Sequence, residues 1–532
     1  MHRMRLLTAA ASIALIAAAA APLAAQQPLT RAERSDYLET SRYADVMAFL
    51  DSIADSPRLH RTTFGYSHLG RPLPLIVVGA PDASPEAVLA TGRTRVYVQA
   101  NIHGGEVEGK EALQMLLRDL AAGAHPQWTD SLVLLIAPIY NADGNDAVRI
   151  TNRSDQHGPL AGVGERANAQ GLDLNRDHTK LDSPEARSLV RLMTRYDPHV
   201  AIDLHTTNGT HHAYHLTYSP PLHPSTDSSL VAFLRDEWLP TLTGEVRAEH
   251  GWETYFYGNL PIREWGMTGE RGWYTFDHRP RFNNNYVGLR NRMALLSEAY
   301  SYASFRERVA ATRAFVDAAL DFAAANASRI RRLTARADAD SPVGDSLAVR
   351  ATHRRGPMTE ILLGEVEERV NPYSGEAYSA RLDVVRPETI PDYGSFRATE
   401  TERVPRAYYV PDRLGDVLEL LRAHGIRLSR VGAQPTGALE AFAIDSTRVA
   451  EREFQGHRER ELFGEWRATD ATPGADAWVV DMTQPLARLA FQLLEPRADD
   501  GLVNWNVLDE ALVGDDASAS PARAYPILRS AD

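Results

Sequence analysis

Short apolar runs alternate with amphipathic stretches along the first part of this 532-residue chain. Runs of four to eight apolar or β-branched residues bounded by turn-forming residues are typical of buried strands. We therefore predict strands at 73–78, 95–100, 132–139 and 200–204. Apolar positions at helical spacing predict helices at 43–53, 110–122, 185–196, 230–250, 291–303 and 307–333. This alternation favours an α/β fold, a sheet with helices on its faces.

The pattern changes after a small, polar, proline-containing stretch at 335–343, which we interpret as a linker. Beyond it, strands are predicted at 382–385, 407–410 and 478–480, and one helix at 417–424, closed by Gly425. We expect two domains, a larger one at 26–335 and a smaller β-rich, sandwich-like accessory domain at 345–532 packed against it. Trp466, Trp478 and Trp505 are expected in its core.

The first 25 residues have the layout of a secretory signal peptide. Arg3 and Arg5 precede an Ala-rich apolar run, and small residues follow it up to Ala25. We predict cleavage after Ala25 and a periplasmic or secreted protein; an uncleaved membrane anchor is the alternative. No later segment is long and apolar enough to span a bilayer, so no stable membrane insertion is expected after cleavage.

The amino-acid composition limits the binding partners and the catalytic groups that this chain can use. The chain has 57 Lys and Arg against 70 Asp and Glu, a net charge of −13, which argues against nucleic acid as a partner because the average field repels phosphate. It has no cysteine, so a thiol nucleophile and cysteine metal ligands are excluded. Any metal ligands must come from His, Asp and Glu.

A candidate metal site follows two of the predicted strands. His103 and Glu106 lie on a Gly-containing turn directly after strand 95–100, and His205 follows strand 200–204. Active sites of open α/β sheets gather at the carboxyl ends of strands. Two imidazoles, a carboxylate and an open position suit one catalytic Zn²⁺. The rival pair His250 and Glu253 lies at the end of a charged helical stretch, and His211, His212 and His215 lie beyond the strand end, where a pocket wall or surface strand is the simpler interpretation.

These residues resemble the zinc carboxypeptidase family, the M14 metallopeptidases. Four pieces match in order: His103-x-x-Glu106; the turn 138–144, with Ala142 where the family has proline; Gly171-x-Asp173-x-Asn175-Arg176; and His205. The resemblance covers roughly residues 35–325. It implies a mixed, mostly parallel eight-stranded sheet between helices, with His103, Glu106 and His205 as zinc ligands.

The resemblance also implies roles for other positions. Asp173 would orient a ligand histidine, and Asn175 and Arg176 would hold the terminal carboxylate of the substrate. Glu298, one carboxylate in an otherwise apolar stretch, would be the catalytic base, with Glu264 and Glu270 as rivals. An arginine would stabilise the oxyanion; Arg149, Arg153 and Arg166 all lie in the expected interval, and we favour Arg153. A tyrosine would close over the substrate, Tyr286 or Tyr274.

The leading hypothesis is a zinc metallocarboxypeptidase that acts on peptides or proteins with a free C-terminal carboxylate. A cell-wall peptide amidase or D,L-peptidase, and a non-peptide deacylase, would use the same zinc site. A non-catalytic binding protein is the alternative from another class, and the presence of Glu298 argues against it, since a pure binder needs no base beside zinc.

Overall fold

The computed structural model describes residues 27–262, 269–432, 437–513 and 524–531. The predicted signal peptide lies outside the described residues. In chain order the strands are β1 (Leu59–Tyr66), β2 (Pro72–Val78), β3 (Thr94–Ala100), β4 (Leu132–Ala137), β5 (Val200–Thr207), β6 (Leu216–Ser219), β7 (Thr254–Phe256), β8 (Trp273–Tyr274), β9 (Met293–Tyr300), β10 (Ser346–Arg354), β11 (Met358–Leu363), β12 (Val366–Val370), β13 (Ala377–Arg381), β14 (Arg386–Tyr393), β15 (Ser395–Arg403), β16 (Ala407–Val410), β17 (Ser429–Arg430), β18 (Leu439–Val449), β19 (Arg460–Thr469), β20 (Trp478–Asp481) and β21 (Leu528–Ser530).

The α-helices connect and cover these strands. They are α1 (Arg31–Arg34), α2 (Tyr43–Ser52), α3 (Pro85–Ala90), α4 (Glu108–Ala121), α5 (Pro126–Ser131), α6 (Ala142–Asp146), α7 (Pro184–Tyr196), α8 (Ser228–Ala232), α9 (Leu239–His250), α10 (Asn283–Leu289), α11 (Phe305–Ala325), α12 (Ala327–Ala339), α13 (Gly415–Ala423), α14 (Ala487–Leu494) and α15 (Asp509–Val513). A 3₁₀ turn at Leu174–Arg176 and a π-helical stretch at Phe233–Trp238, between α8 and α9, complete the helical elements described.

A mixed eight-stranded sheet organises the first part of the chain, as predicted. Its strand order is β1-β2-β4-β3-β5-β9-β6-β7. The β4–β3, β3–β5, β5–β9 and β6–β7 pairs are parallel, and the other three pairs are antiparallel. Every residue of β3, β4 and β5 is buried, because helices cover both faces of a parallel sheet. Continuous apolar runs in these strands are the sequence signature of that burial.

Three elements differ from the sequence prediction. Residues 291–303 were predicted to be helical, but β9 occupies Met293–Tyr300 and pairs with β5 in the middle of the sheet. A short apolar run fits a helix and a buried strand equally well, and sheet pairing decides in favour of the strand. The predicted linker at 335–343 begins inside α12, which continues to Ala339, and the predicted strand at 382–385 is irregular.

The C-terminal part is β-rich, as predicted, and its strands form several sheets. Its six-stranded sheet, in the order β17-β20-β16-β21-β18-β19, shares a hydrophobic core with α13 and α14. That core also takes in Leu181, Val190 and Tyr286 from the first part. In addition, β14 pairs in parallel with β8, so one small sheet contains strands from both parts of the chain.

Within the described ranges, none of the helices combines the length and the apolar character needed to cross a bilayer.

Candidate metal centre and active site

The turn that carries His103 and Glu106 is built by an asparagine. Asn101, with a φ of 64°, follows β3 directly and lets the chain reverse. Its buried side-chain amide donates to the carbonyl oxygens of His103, Gly104 and Glu106, at 3.1, 3.3 and 3.0 Å. The turn therefore has a fixed shape before α4 begins at Glu108.

The glycines of this turn are needed for close packing. Neither Gly104 nor Gly105 has a positive φ. A Cβ on Gly104 would lie 2.3 Å from the backbone carbon of Gly144 and 2.4 Å from the carbonyl oxygen of Glu165. The turn therefore lies against residues 141–146 and the 163–166 segment.

Three buried side chains converge as the sequence predicted. One ligand atom from each of His103, Glu106 and His205 lies within 4.8 Å of the others. His103 Nδ1 is 2.9 Å from Glu106 Oε1 without the geometry of a hydrogen bond, and His205 Nδ1 is 3.1 Å from Glu106 Oε2. Two imidazoles and a carboxylate are donors that zinc prefers, and three protein ligands are the usual number for a catalytic zinc site. The residues therefore fit a zinc ion.

An aspartate lies on the far side of each ligand imidazole, as a hydrogen-bond partner of His103 and as a close neighbour without hydrogen-bond geometry for His205. His103 Nε2 lies 3.1 Å from Asp173 Oδ1, as predicted for Asp173. His205 Nε2 lies 2.9 Å from Asp203 Oδ2, which also accepts a hydrogen bond from the Asn283 side chain at 2.9 Å. Such partners fix the ring and leave Nδ1 for the metal. Asp203 was not assigned from sequence, although its position two residues before His205 on β5 puts both side chains on one face.

The charges of the cluster reinforce one another. Burial alone would raise the pKa of Glu106, but His103 and Arg153 hold the pKa well below its usual value. Burial would likewise raise the pKa of Asp173, and His103 and Arg176 keep it well below the usual range. Both carboxylates are therefore ionised at neutral pH. In this form Glu106 can bind a cation, and Asp173 can accept a hydrogen bond from the imidazole N–H of His103.

Glu298 is brought to the site by the register of the sheet. It lies directly opposite His205 on the neighbouring parallel strand β9, and it lines the same cavity as the three candidate ligands. Withdrawal from water raises the pKa of the Glu298 carboxyl to about 8, and a positively charged His205 opposes this effect. A bound dication would lower the pKa of Glu298 from this raised value, since it stabilises the ionised carboxylate.

The three candidate arginines occupy different environments. Each guanidinium nitrogen of Arg153 contacts the protein: Nη1 contacts Glu106 at 3.1 Å, Nη2 donates to the Thr206 carbonyl at 3.1 Å, and Nε donates to Gln156 at 2.8 Å. Arg166 donates from Nε to Asp173 at 2.9 Å, and 45% of its side chain remains exposed. Arg149 forms an isolated bridge with Val163 and is not among the cavity residues.

The cavity above the cluster has a volume of about 170 Å³. Asn175 and Arg176 line it from the 3₁₀ turn that Asp173 caps, and the Arg176 guanidinium stacks on the Phe282 ring at 3.9 Å. Three aromatic side chains that the sequence did not reveal also line the cavity. Tyr257, Phe276 and Phe282 have neighbouring ring centroids 5.5 and 5.3 Å apart, and Leu296 also lines the cavity.

The expected role of Tyr286 must be corrected. Only 1% of Tyr286 is exposed, and its hydroxyl bonds to His424 Nδ1 at 2.8 Å, in the core shared with the C-terminal part. Its alternative, Tyr274, stacks on Tyr393 at 4.1 Å outside the cavity. The tyrosine that lines the cavity is Tyr257.

The remaining sequence candidates that the structure describes are not among the residues that line the cavity. His211 packs on Tyr302, and buried His212 packs on Tyr300. His215 and His250 both stack on Trp252. Glu270 is an exposed partner of Arg355, and Glu264 lies outside the described residues.

Comparison with known proteins agrees with this site. Residues 46–275 match the family model "Zinc carboxypeptidase", so the match includes His103, Glu106 and His205 and ends before Glu298. Carboxypeptidase 2 of Trichophyton tonsurans is 22% identical over 498 residues, covering 88% of this chain and 82% of its own. Human carboxypeptidase D is 30% identical over 165 residues, 25% of this chain and 12% of its own. A metallo-carboxypeptidase from Burkholderia cenocepacia superposes with a TM-score of 0.40 at 19% identity, covering 55% of this chain and 70% of that one.

Fold and site together define a metal-dependent hydrolase of the α/β class, with its donor set at the carboxyl ends of β3 and β5. Residues 46–275 are similar to the zinc carboxypeptidases, and the relatives that match most of the chain are carboxypeptidases.

Proposed function

We propose that this protein is an exported carboxypeptidase that removes the C-terminal residue of peptides or proteins with one zinc ion and Glu298 as base. The observation that carries the proposal is the convergence of His103, Glu106 and His205 beside Glu298, in a cavity that also contains Arg176. A hydrolytic site needs both a cation position and a base. A site for a free C-terminus also needs a cation for the carboxylate.

The reaction follows from what each side chain can do. When bound, zinc supplies a Lewis acid that polarises the scissile carbonyl and acidifies a water molecule. Glu298 accepts the proton of that water and delivers it to the leaving amine. We assign the oxyanion contact to Arg166 and not to Arg153, because the Arg153 guanidinium is already committed to Glu106, Thr206 and Gln156.

Substrate binding is assigned to Arg176 and to the apolar side chains that line the cavity. Arg176 offers a planar guanidinium for bidentate binding of the terminal carboxylate, and stacking on Phe282 holds it in place. Tyr257, Phe276 and Leu296 supply an apolar wall. The proposal therefore includes a preference for an apolar or aromatic terminal side chain over a charged one.

The variant Glu298→Gln tests the catalytic assignment. We expect kcat to fall by about 10²–10⁴-fold, the range for loss of a general base, because the amide cannot accept the proton. Bound zinc, measured by metal analysis of the dialysed protein, should stay near one ion per chain. Turnover at the wild-type rate would refute the role of Glu298, and a wild-type chain without zinc would refute the metal site.

A matched substrate panel tests the reaction class. Peptides that end in free Phe, Lys or Asp are compared with the same peptides as C-terminal amides, and with D-configured and cell-wall peptides. We expect fastest release of Phe from the free peptide and little cleavage of the amides. Preferred cleavage of blocked or D-configured substrates would favour an amidase or D,L-peptidase instead.

Export is tested separately. The signal-like segment at 1–25 supports it. N-terminal sequencing of the protein recovered from the periplasm or medium should give a chain that begins at Gln26. Full-length protein confined to the cytosol would contradict this part of the proposal.

A further inference from the structure

A tight turn joins β18 to β19 at the tip of a long hairpin in the C-terminal part. Phe454 and His457 pair across it, with backbone hydrogen bonds of 2.8 and 3.0 Å in the two directions. The two residues between them both have positive φ, 53° for Gln455 and 81° for Gly456. This is the geometry of a two-residue hairpin turn of the primed type. We call residues 454–457 the apical turn.

The apical turn is fastened to the catalytic part on both sides. His457 Nε2 lies 2.8 Å from Asp182 Oδ2. The Arg281 guanidinium, which is almost fully buried, lies 5.1 Å from the Phe454 ring centroid and 2.6 Å from Glu459. These contacts hold the tip of the hairpin at a fixed place beside the candidate active site.

From that place Gln455 reaches the segment that supports the metal site. Its Oε1 accepts a hydrogen bond from the backbone N–H of Asp173 at 2.7 Å. The Asp173 carboxylate contacts His103 Nε2, Arg166 Nε and the Asn175 N–H at 3.1, 2.9 and 2.8 Å. A displacement of Asp173 would therefore change the orientation of the His103 ring and the position of the Arg166 side chain. It would also shift the start of the Asn175–Arg176 turn.

Glutamine at position 455 is an unfavourable choice for the turn, but its side chain has the length that the contact with the Asp173 N–H requires. Asn, Asp and Gly are preferred at the first central position of such a turn, because they tolerate positive φ. Asn would satisfy the backbone better than Gln, but its side chain is one methylene shorter than the one that makes the 2.7 Å contact. An unfavourable backbone conformation held by its surroundings points to a role for the side chain.

We propose that Gln455 is a positioning residue for the metal site, supplied by the C-terminal part of the chain. It fixes the backbone of Asp173, and through Asp173 the His103 ring that would bind zinc. This role rests on the proposed zinc site. It also gives the C-terminal hairpin a task in the catalytic unit, beyond that of an accessory domain.

The experiment uses the full-length chain with two substitutions that remove the contact differently. Gln455→Asn keeps the turn and shortens the reach, and Gln455→Met keeps the length and removes the acceptor. The control is Arg452→Ala, an exposed change on the same loop. Two quantities are measured, the rate of zinc release to a chelator and the difference in Tm between the zinc-loaded and metal-free forms.

For both Gln455 variants we expect zinc release about tenfold faster than in the wild type, the lower end for loss of an outer partner of a ligand. The Tm gain on zinc loading should shrink, because stabilisation by a ligand follows its affinity for the folded state. A merely structural contact would lower both Tm values equally and leave zinc release unchanged, which would overturn the proposal. A wild-type chain that binds no zinc would instead refute the proposed function itself.

Discussion

The arginine side chains around the cavity differ in their contacts with the rest of the protein. Arg153 contacts the Glu106 carboxylate and the backbone carbonyl of Thr206, next to His205. It therefore stabilises the carboxylate of the candidate ligand Glu106 in the absence of substrate. Arg166 contacts Asp173 at 2.9 Å and Glu106 at 3.5 Å, and 45% of its side chain remains exposed. Chain order alone could not separate the two, because both lie in the same loop-rich interval and only their hydrogen bonds distinguish them.

Substituting each arginine by alanine should separate their roles. For Arg166→Ala we expect kcat to fall by about 10²–10³-fold with zinc content unchanged, as for loss of an oxyanion donor. For Arg153→Ala we expect weaker zinc binding, by about tenfold or more, because Glu106 loses the nearer of its two arginine partners. The measurements are steady-state kinetics and zinc titration of both variants. If Arg153→Ala lost turnover with normal zinc affinity, the two assignments would have to be exchanged.

At the scale of elements, the sequence predicted the sheet and the three candidate ligands well. Buried parallel strands are continuous apolar runs, and motifs placed after such runs must meet at one edge of the sheet. The prediction failed for β9, because the apolar run 293–300 lacks alternation and its partner β5 lies almost 100 residues earlier. It failed for Tyr286 because burial against His424 depends on a segment more than 130 residues away.

Glycine packing around the metal-binding turn gives a prediction at this scale. In Gly104→Ala the new methyl group would meet backbone atoms of Gly144 and Glu165 that cannot move independently. We expect the free energy of unfolding to fall by about 1–3 kcal/mol, as for overpacking, together with weaker zinc binding. Urea denaturation and zinc titration measure the two effects.

Gly244→Ala is the matched control for that variant. Gly244 lies within α9 with open space around it, so the same change should be neutral or stabilise by up to about 1 kcal/mol through helix propensity. Equal stability losses for the two variants would contradict the packing explanation.

At the scale of the whole molecule, buried neutral histidines set the response to acid. Burial lowers the pKa of His199, His212, His223 and His424 to about 3. Several of these rings accept hydrogen bonds that need the neutral form; His199 Nδ1 and His223 Nδ1 accept from the backbone N–H groups of Arg95 and Ser225. The four rings are spread over both parts of the chain.

These pKa values predict that stability declines as pH falls below about 6.5, the ordinary value for histidine. Below that pH the histidines bind protons in the unfolded chain but not in the folded chain. The contribution of the neutral histidines to the free energy of unfolding is therefore complete above pH 6.5 and is lost progressively towards pH 3. We expect a lower urea midpoint at pH 5 than at pH 7.5. In His223→Asn, whose side-chain oxygen can still accept from Ser225, the difference should shrink. An equal midpoint at both pH values would contradict the prediction.

The pairing of β5 with β9 has a consequence for how far this enzyme can vary. His205 and Glu298 are cross-strand neighbours in a parallel ladder, where adjacent strands lie about 4.8 Å apart. The spacing between the backbones of the candidate ligand His205 and the proposed base Glu298 is thus set by the separation of the two strands, independent of loop length. Surface loops can be exchanged or lengthened to accept other substrates, while this spacing persists as long as the two strands remain in register.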